Sequence, residues 1–199
     1  MVEGQLRGRG IEDERVLAAM ASVPRELFLP PELREEAYRD GALAIGEGQT
    51  ISQPWIVAKM ASLLELRGDE RVLEIGTGSG YGAAVLGRCC ASVVTVERRA
   101  ALAERAAAVL GSLGLDNVEV RAGDGTLGAP DRAPFGGISV TAVADGAPPP
   151  ALAEQLEPGR ALVCPVRGAG GEHLMRFRAG HEPERVVPVR FVPLVEGAA

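Results

Sequence analysis

The chain has 199 residues, 21 of them basic and 27 acidic, for a net charge of −6 and a pI near 5.1. That length suits one domain able to bury roughly 70% of the surface its unfolded form exposes, with no need of a disulfide or metal. The acidic balance excludes the clustered cationic face that nucleic-acid binding requires, and an aromatic content of 4% excludes a base-stacking platform.

In chain order, Ile11 to Ala21 places Val16, Leu17 and Met20 at helical spacing, and Val23-Pro24 ends that helix. Pro30-Pro31 turns the chain into a second short helix over Glu32 to Tyr38. Ala42 to Gln53 has neither regular hydrophobic period and reads as a loop. Pro54 to Leu66 is a helix with proline in its first turn and Ile56, Val57, Met60, Leu63 and Leu64 on one face. From Arg71 the pattern alternates. A strand runs to Ile75, a helix starts near Tyr81, and a strand over Ser92 to Glu97 leads to a helix carrying Leu102, Ala106, Val109, Leu110 and Leu113. Strands at Val118 to Arg121, Ile138 to Val143 and Leu162 to Val166 follow, with a short helix at Pro150 to Leu156 before the last of them. Such alternation predicts an α/β fold, a doubly wound, Rossmann-like, mostly parallel sheet with helices on both faces. His173 to Arg178 and Val186 to Val192 have no helix between them, so the sheet should close with an antiparallel C-terminal strand pair. One domain over 1–199 is expected, with N-terminal helices and a substrate loop in 1–66 and the α/β core in 67–199. The N-terminal part should fold over the cofactor edge of the sheet.

The strand Val72-Leu-Glu-Ile75 runs into glycines at 76, 78 and 80. Glycine has no Cβ and accepts positive φ, so a backbone turn of this kind passes close beneath a nucleotide-like ligand. A dinucleotide fingerprint would need its third glycine at position 81, which is Tyr81. Nineteen residues beyond Gly78, Glu97 ends the next strand, near the spacing of about 20 at which an acid meets ribose hydroxyls. Gly123-Asp-Gly125 follows the third strand. Each element also has a plainer explanation: a tight connection, a solvated strand end, a common turn dipeptide. Their order and register favour a site.

Glu74 within the strand, followed by G-x-G-x-G, resembles the first motif of S-adenosylmethionine-dependent methyltransferases. Over nearly its whole length the chain resembles the protein-L-isoaspartate O-methyltransferase family. The likeness rests on Val23-Pro-Arg-Glu-Leu-Phe28, Tyr38-Arg-Asp40, Ile45-Gly-Glu-Gly-Gln-Thr-Ile-Ser-Gln-Pro54, Leu73 to Tyr81, Gly123 to Gly125, Glu154 to Leu156 and Val189 to Leu194. Gly48 to Pro54 is the stretch that separates this family from methyltransferases at large. The resemblance implies methyl transfer from S-adenosylmethionine to the free α-carboxylate of L-isoaspartyl residues in damaged proteins and peptides. It implies Ser52 as the catalytic residue, and Thr50, Ile51, Gln53 and Trp55 as substrate-binding. It implies cofactor contacts from Glu74, Gly76, Thr77, Gly78, Ser79, Gly80, Glu97, Asp124 and Gly125. A carboxylate with a pKa of about 4 is already ionised at pH 7, so no general base is required and neither His173 nor His181 is needed. Ser52 stands where a serine also caps helices, so a capping role is the competing explanation.

The chain departs from the family pattern at Ala44, Trp55, Gly82 and Gly136. Another S-adenosylmethionine-dependent O-methyltransferase, or a non-catalytic binder of the same fold, remains open at this stage. No metal is expected: Cys89, Cys90 and Cys164 lack the spacing of a zinc site and read as reduced thiols. Nucleic acid and membrane are not expected partners. Met1 to Leu6 has no basic-then-apolar pattern, and no apolar run nears the roughly 18 residues of a span. The expectation is a cytoplasmic monomer.

Overall fold

The computed structural model describes residues 1–197. Five strands make the parallel part of the sheet: β3 (Arg71–Ile75), β4 (Ser92–Glu97), β5 (Val118–Ala122), β6 (Gly137–Val140) and β8 (Leu162–Gly168). Short β7 (Ala144–Asp145) also runs parallel to β8. β9 (Gly171–Phe177) and β10 (Glu184–Pro188) add the expected antiparallel pair, giving the order β10-β9-β8-β6-β3-β4-β5. β3 is central and its neighbours lead away in opposite directions, so the crevice at its C-terminal end is the switch point where doubly wound sheets bind ligands. Core strands with both faces covered become continuous apolar runs. Val72, Leu73, Ile75, Val93, Val94 and Val96 are all buried.

The helices are α1 (Glu14–Ser22), α2 (Pro54–Leu63), α3 (Tyr81–Gly87), α4 (Ala100–Ser112) and α5 (Pro150–Glu154). α1 begins later than its periodicity suggests because Asp13 caps it, accepting from the backbone N–H groups of Arg15 and Val16 at 3.0 and 3.1 Å. Arg25–Phe28 and Pro31–Glu36 are 3₁₀ turns, the second in place of the short helix expected over Glu32 to Tyr38.

Two further expectations need correction. Leu43–Gly46 and Gln49–Ile51 form a two-stranded hairpin, β1 and β2, where a loop was expected. Leu43 and Ile45 alternate with exposed Ala44 and Gly46, a period of two too short to register. The reversal depends on three successive positive φ values at Gly46, Glu47 and Gly48. The last strand was expected over Val186 to Val192, but β10 ends at Pro188. Beyond it the chain leaves the sheet edge and crosses the C-terminal ends of the strands, where Val143 N–H donates to the Val192 carbonyl and Leu194 N–H to the Val143 carbonyl, each at 2.8 Å. Pro188 and Pro193 lack the N–H that a continued ladder needs.

Candidate active site

A cleft of about 230 Å³ opens at the switch point between the β3 turn, the β1–β2 hairpin and the segment Val192 to Val195. Its floor is the glycine turn, with positive φ at Gly76, Gly78 and Gly80. At Gly76 a Cβ would sit 2.4 Å from the Thr141 hydroxyl, which donates to the Ile75 and Gly76 carbonyls at 3.0 and 2.6 Å. The absent side chain therefore lets Thr141, just past the end of β6, clamp the turn. Gly78 turns its N–H to Glu97, whose carboxylate accepts from the backbone N–H groups of Gly78 and Arg99 at 2.9 and 3.0 Å. Buried Glu97 lines the cleft, as do Gly76, Thr77, Gly78, Ser79 and Gly125. Gly80 faces away, with Ala106 of α4 3.1 Å from where its Cβ would be; its φ of +90° starts α3.

Glu74 also lines the cleft, and only 1% of it is exposed. Its Oε2 accepts from the Thr95 hydroxyl at 2.7 Å, and Thr95 pairs with the Thr77 hydroxyl at 2.6 Å. Burial pushes the Glu74 carboxyl up to about 8, outweighing the Thr95 bond. At neutral pH it holds its proton. Thr95 escapes sequence reasoning because a buried strand threonine looks like any other β-former, and Thr141 because a threonine just past a strand end carries no local signal. A Cβ on Gly82 would meet Glu74 Oε1 at 2.4 Å, so this departure from the family pattern makes room for the carboxyl.

On the facing wall, Thr50, Ile51 and Ser52 line the cleft. Ser52 does not cap α2: Gln53 is the cap residue, and no side chain supplies a cap bond. The Ser52 carbonyl accepts from Arg25 Nη2 at 2.8 Å. Gln53 and Trp55, expected at the substrate pocket, lie outside the cleft. Gln53 donates to Asp40 at 2.8 Å. The Trp55 ring carries the Arg9 guanidinium 4.5 Å from its centre, and its indole N–H donates to the Arg9 carbonyl at 3.2 Å. Gln53 precedes the helix and is drawn off by Asp40, whereas Trp55 lies in the first turn of α2, where successive side chains point about 100° apart.

Asp124, expected beside the cofactor, lies just outside the cleft lining with both carboxylate oxygens engaged. Its Oδ1 accepts from the Thr126 N–H and hydroxyl at 2.9 and 2.7 Å, and its Oδ2 accepts from the Gly197 N–H at 2.7 Å. Arg98 Nε donates to the Gly197 carbonyl at 3.1 Å. Both residues thus tie down the segment whose Val192 to Val195 form the roof. Of that roof, only Val192 falls within the strand expected from the sequence. Gly136, the other notable departure, lies at the opposite end of the sheet, and a Cβ there would strike Glu70 at 2.6 Å. Glu70 in turn accepts from the Arg67 and Gly68 N–H groups and pairs with Arg160 at 3.0 Å. Gly136 is therefore remote from the cleft. No cluster of metal-ligating side chains occurs among the described residues.

A protein-family model described as protein-L-isoaspartate(D-aspartate) O-methyltransferase matches residues 1–199. A protein-L-isoaspartate O-methyltransferase of Roseiflexus castenholzii is 54% identical over 194 residues, covering 96% of this chain and 88% of that one. One from Methanoregula boonei is 52% identical over 198 residues, covering 98% and 91%. Among solved structures, a protein-L-isoaspartate O-methyltransferase superposes with a TM-score of 0.85 at 30% identity, over 97% of this chain and 65% of that one. A Plasmodium falciparum structure holding S-adenosyl-L-homocysteine has a TM-score of 0.82 at 22% identity, over 98% and 96%.

Proposed function

The chain belongs to the protein-L-isoaspartate(D-aspartate) O-methyltransferase family, and we propose that Ser52 orients the α-carboxylate of an L-isoaspartyl residue for methylation in the cleft between the glycine turn and the β1–β2 hairpin. The enzyme uses S-adenosylmethionine, whose sulfonium supplies an electrophilic methyl group, and its substrates are damaged proteins and peptides. The observation that carries the role of Ser52 is its place on the cleft wall opposite the glycine turn, free of a capping duty.

The residues present suit that cofactor. Glu97 offers a buried carboxylate to a ribose diol, the Gly76 to Gly80 turn has no Cβ in the way, and the Glu74 acid suits a cationic neighbour. Thr77, Ser79 and Gly125 complete the proposed cofactor wall, and Thr50 and Ile51 flank Ser52 on the substrate wall. The substrate enters already ionised, so the protein's task is placement, for which effective molarities of about 10⁵ M and above are available. A hydrogen bond from the Ser52 hydroxyl to one carboxylate oxygen leaves the other free to attack. The apolar roof keeps water from competing. We further infer that the chain works as a monomeric unit in the cytoplasm; all three thiols are free and buried, and no helix among the described residues is long and apolar enough to cross a membrane.

The decisive assay pairs an isoaspartyl peptide with its aspartyl twin. In the isomer the backbone runs through the side-chain carbonyl, and the free carboxylate sits one methylene closer to the chain. Misplacement of about 1 Å costs on the order of 10²-fold. Methylation of the first peptide alone, with slow release of methanol, is the expected result; equal labelling of both, or of neither while cofactor still binds, overturns the assignment.

A further inference from the structure

Arg25 is fully buried, yet both of its hydrogen-bond partners are backbone carbonyls: Nε donates to Ala37 at 2.7 Å and Nη2 to Ser52 at 2.8 Å, while Nη1 has no partner. Its guanidinium lies over the ring of Tyr81, 4.8 Å from the centroid, and Phe28 meets the same ring edge-on at 5.6 Å. Tyr81 is the first residue of α3, directly after the glycine turn. One side chain therefore touches the backbone of Ser52 and the residue that ends the cofactor turn. A buried cation with neutral partners is costly to keep, and a neutral residue would fill this space at less cost.

We propose that Arg25 is the positioning residue of the methyl-transfer site, registering the Ser52 backbone against the cofactor turn through Tyr81. The proposal rests on the role given to Ser52 above. The guanidinium suits this task because it is planar and rigid: it donates in its own plane to two carbonyls from different segments while its face packs on an aromatic ring. Lysine has the charge but neither the fork nor the flat face. Arg25 does not reach the substrate; it fixes the main chain from which the Ser52 hydroxyl projects.

The test is a double-mutant cycle of Arg25→Lys and Ser52→Ala, with kcat and KM measured on an isoaspartyl peptide and S-adenosylhomocysteine affinity measured by calorimetry. Arg25→Lys is expected to lower kcat about tenfold or more while changing KM less than kcat and cofactor affinity by no more than about twofold. In the Ser52→Ala background the same change should cost almost nothing, because residues acting through one group are not additive. Arg25→Met is expected to match or exceed the lysine variant; should it not fold, Arg25→Lys carries the cycle, since it keeps the charge and a donor. Wild-type turnover in Arg25→Lys, a loss that multiplies with that of Ser52→Ala, or an equal loss of cofactor affinity would overturn the proposal. A fully active Ser52→Ala variant removes the role of Ser52 and is recognised from that single variant. An impaired Ser52→Ala with an additive or silent Arg25→Lys removes only the role of Arg25.

Discussion

On the proposed cofactor wall, both oxygens of Glu97 are taken by main-chain N–H groups, those of Gly78 and Arg99. On the substrate wall, Ser52 is held through its carbonyl by Arg25, a side chain from 27 positions earlier. The first wall is made by local geometry: a strand end, a turn and a return strand fix where the acid and the glycines must lie. The second depends on a tertiary contact that no local pattern encodes. A local device tolerates change in the rest of the molecule, whereas a tertiary one fails when any member of its chain of contacts moves. The two walls should therefore respond differently to substitution, the first in cofactor affinity and the second in turnover.

The largest effect is expected at Ser52→Ala, where loss of a positioning hydrogen bond should lower turnover by about 10²-fold with cofactor affinity preserved. Steady-state kinetics beside calorimetry separates the two; normal activity per folded molecule would leave Ser52 with no part in the chemistry. Glu97→Ala should do the reverse, weakening S-adenosylmethionine binding by about 1.5 to 3 kcal/mol, the range for hydrogen bonds to a charged group, and loosening the Gly78 turn. Unchanged affinity by titration would break the contrast between the walls.

Glu74 gives a pH-dependent handle on the cofactor wall. Its carboxyl lies at about 8 in the folded chain against an ordinary 4.5. Between these values the native state holds a proton that the unfolded state has released. Stability from this group is intact below about 4.5 and is lost as pH rises towards 8, by at most about 1.4 kcal/mol per pH unit. The melting temperature of ligand-free Glu74→Gln should gain on that of the parent as pH is raised from 5 to 8; parallel curves would show that Glu74 is ionised throughout. The smallest effect is expected at Trp55→Ala. Losing the Arg9 contact should cost about 0.5 to 1 kcal/mol of stability, and turnover per folded molecule should stay at the parent level, as suits a residue outside the cleft. A selective rise in KM for peptide would return Trp55 to the substrate wall.

The same contrast explains what could be read from the sequence. The parallel sheet, the glycine turn and Glu97 were legible because apolar runs, glycines and the return-strand spacing are local signals. Thr50, Ile51 and Ser52 were legible only through resemblance to a family. Gln53 and Trp55 come from the same resemblance, yet they lie outside the cleft, against Asp40 and Arg9. Asp124 sits one residue from the cleft wall, yet its oxygens serve Thr126 and Gly197, a distinction of orientation that composition does not carry. The hairpin was missed because its alternation spans only Leu43 to Gly46. Arg25 lies within the quoted Val23 to Phe28 motif, but nothing in a sequence marks an arginine as buried, since the residue is normally exposed.

The roof over the cleft adds a matter of timing. Gly76 to Gly80 and Glu97 are translated well before Val192 to Gly197, which the Val143 backbone, Arg98 and Asp124 hold in place. At about 5 to 20 residues per second, the ribosome releases the cofactor turn several seconds ahead of its cover. The cover of the cleft is thus the last part of the site to leave the ribosome. A chain interrupted before Val192 would lack the segment that lies over the cleft, together with its bonds to Val143, Arg98 and Asp124.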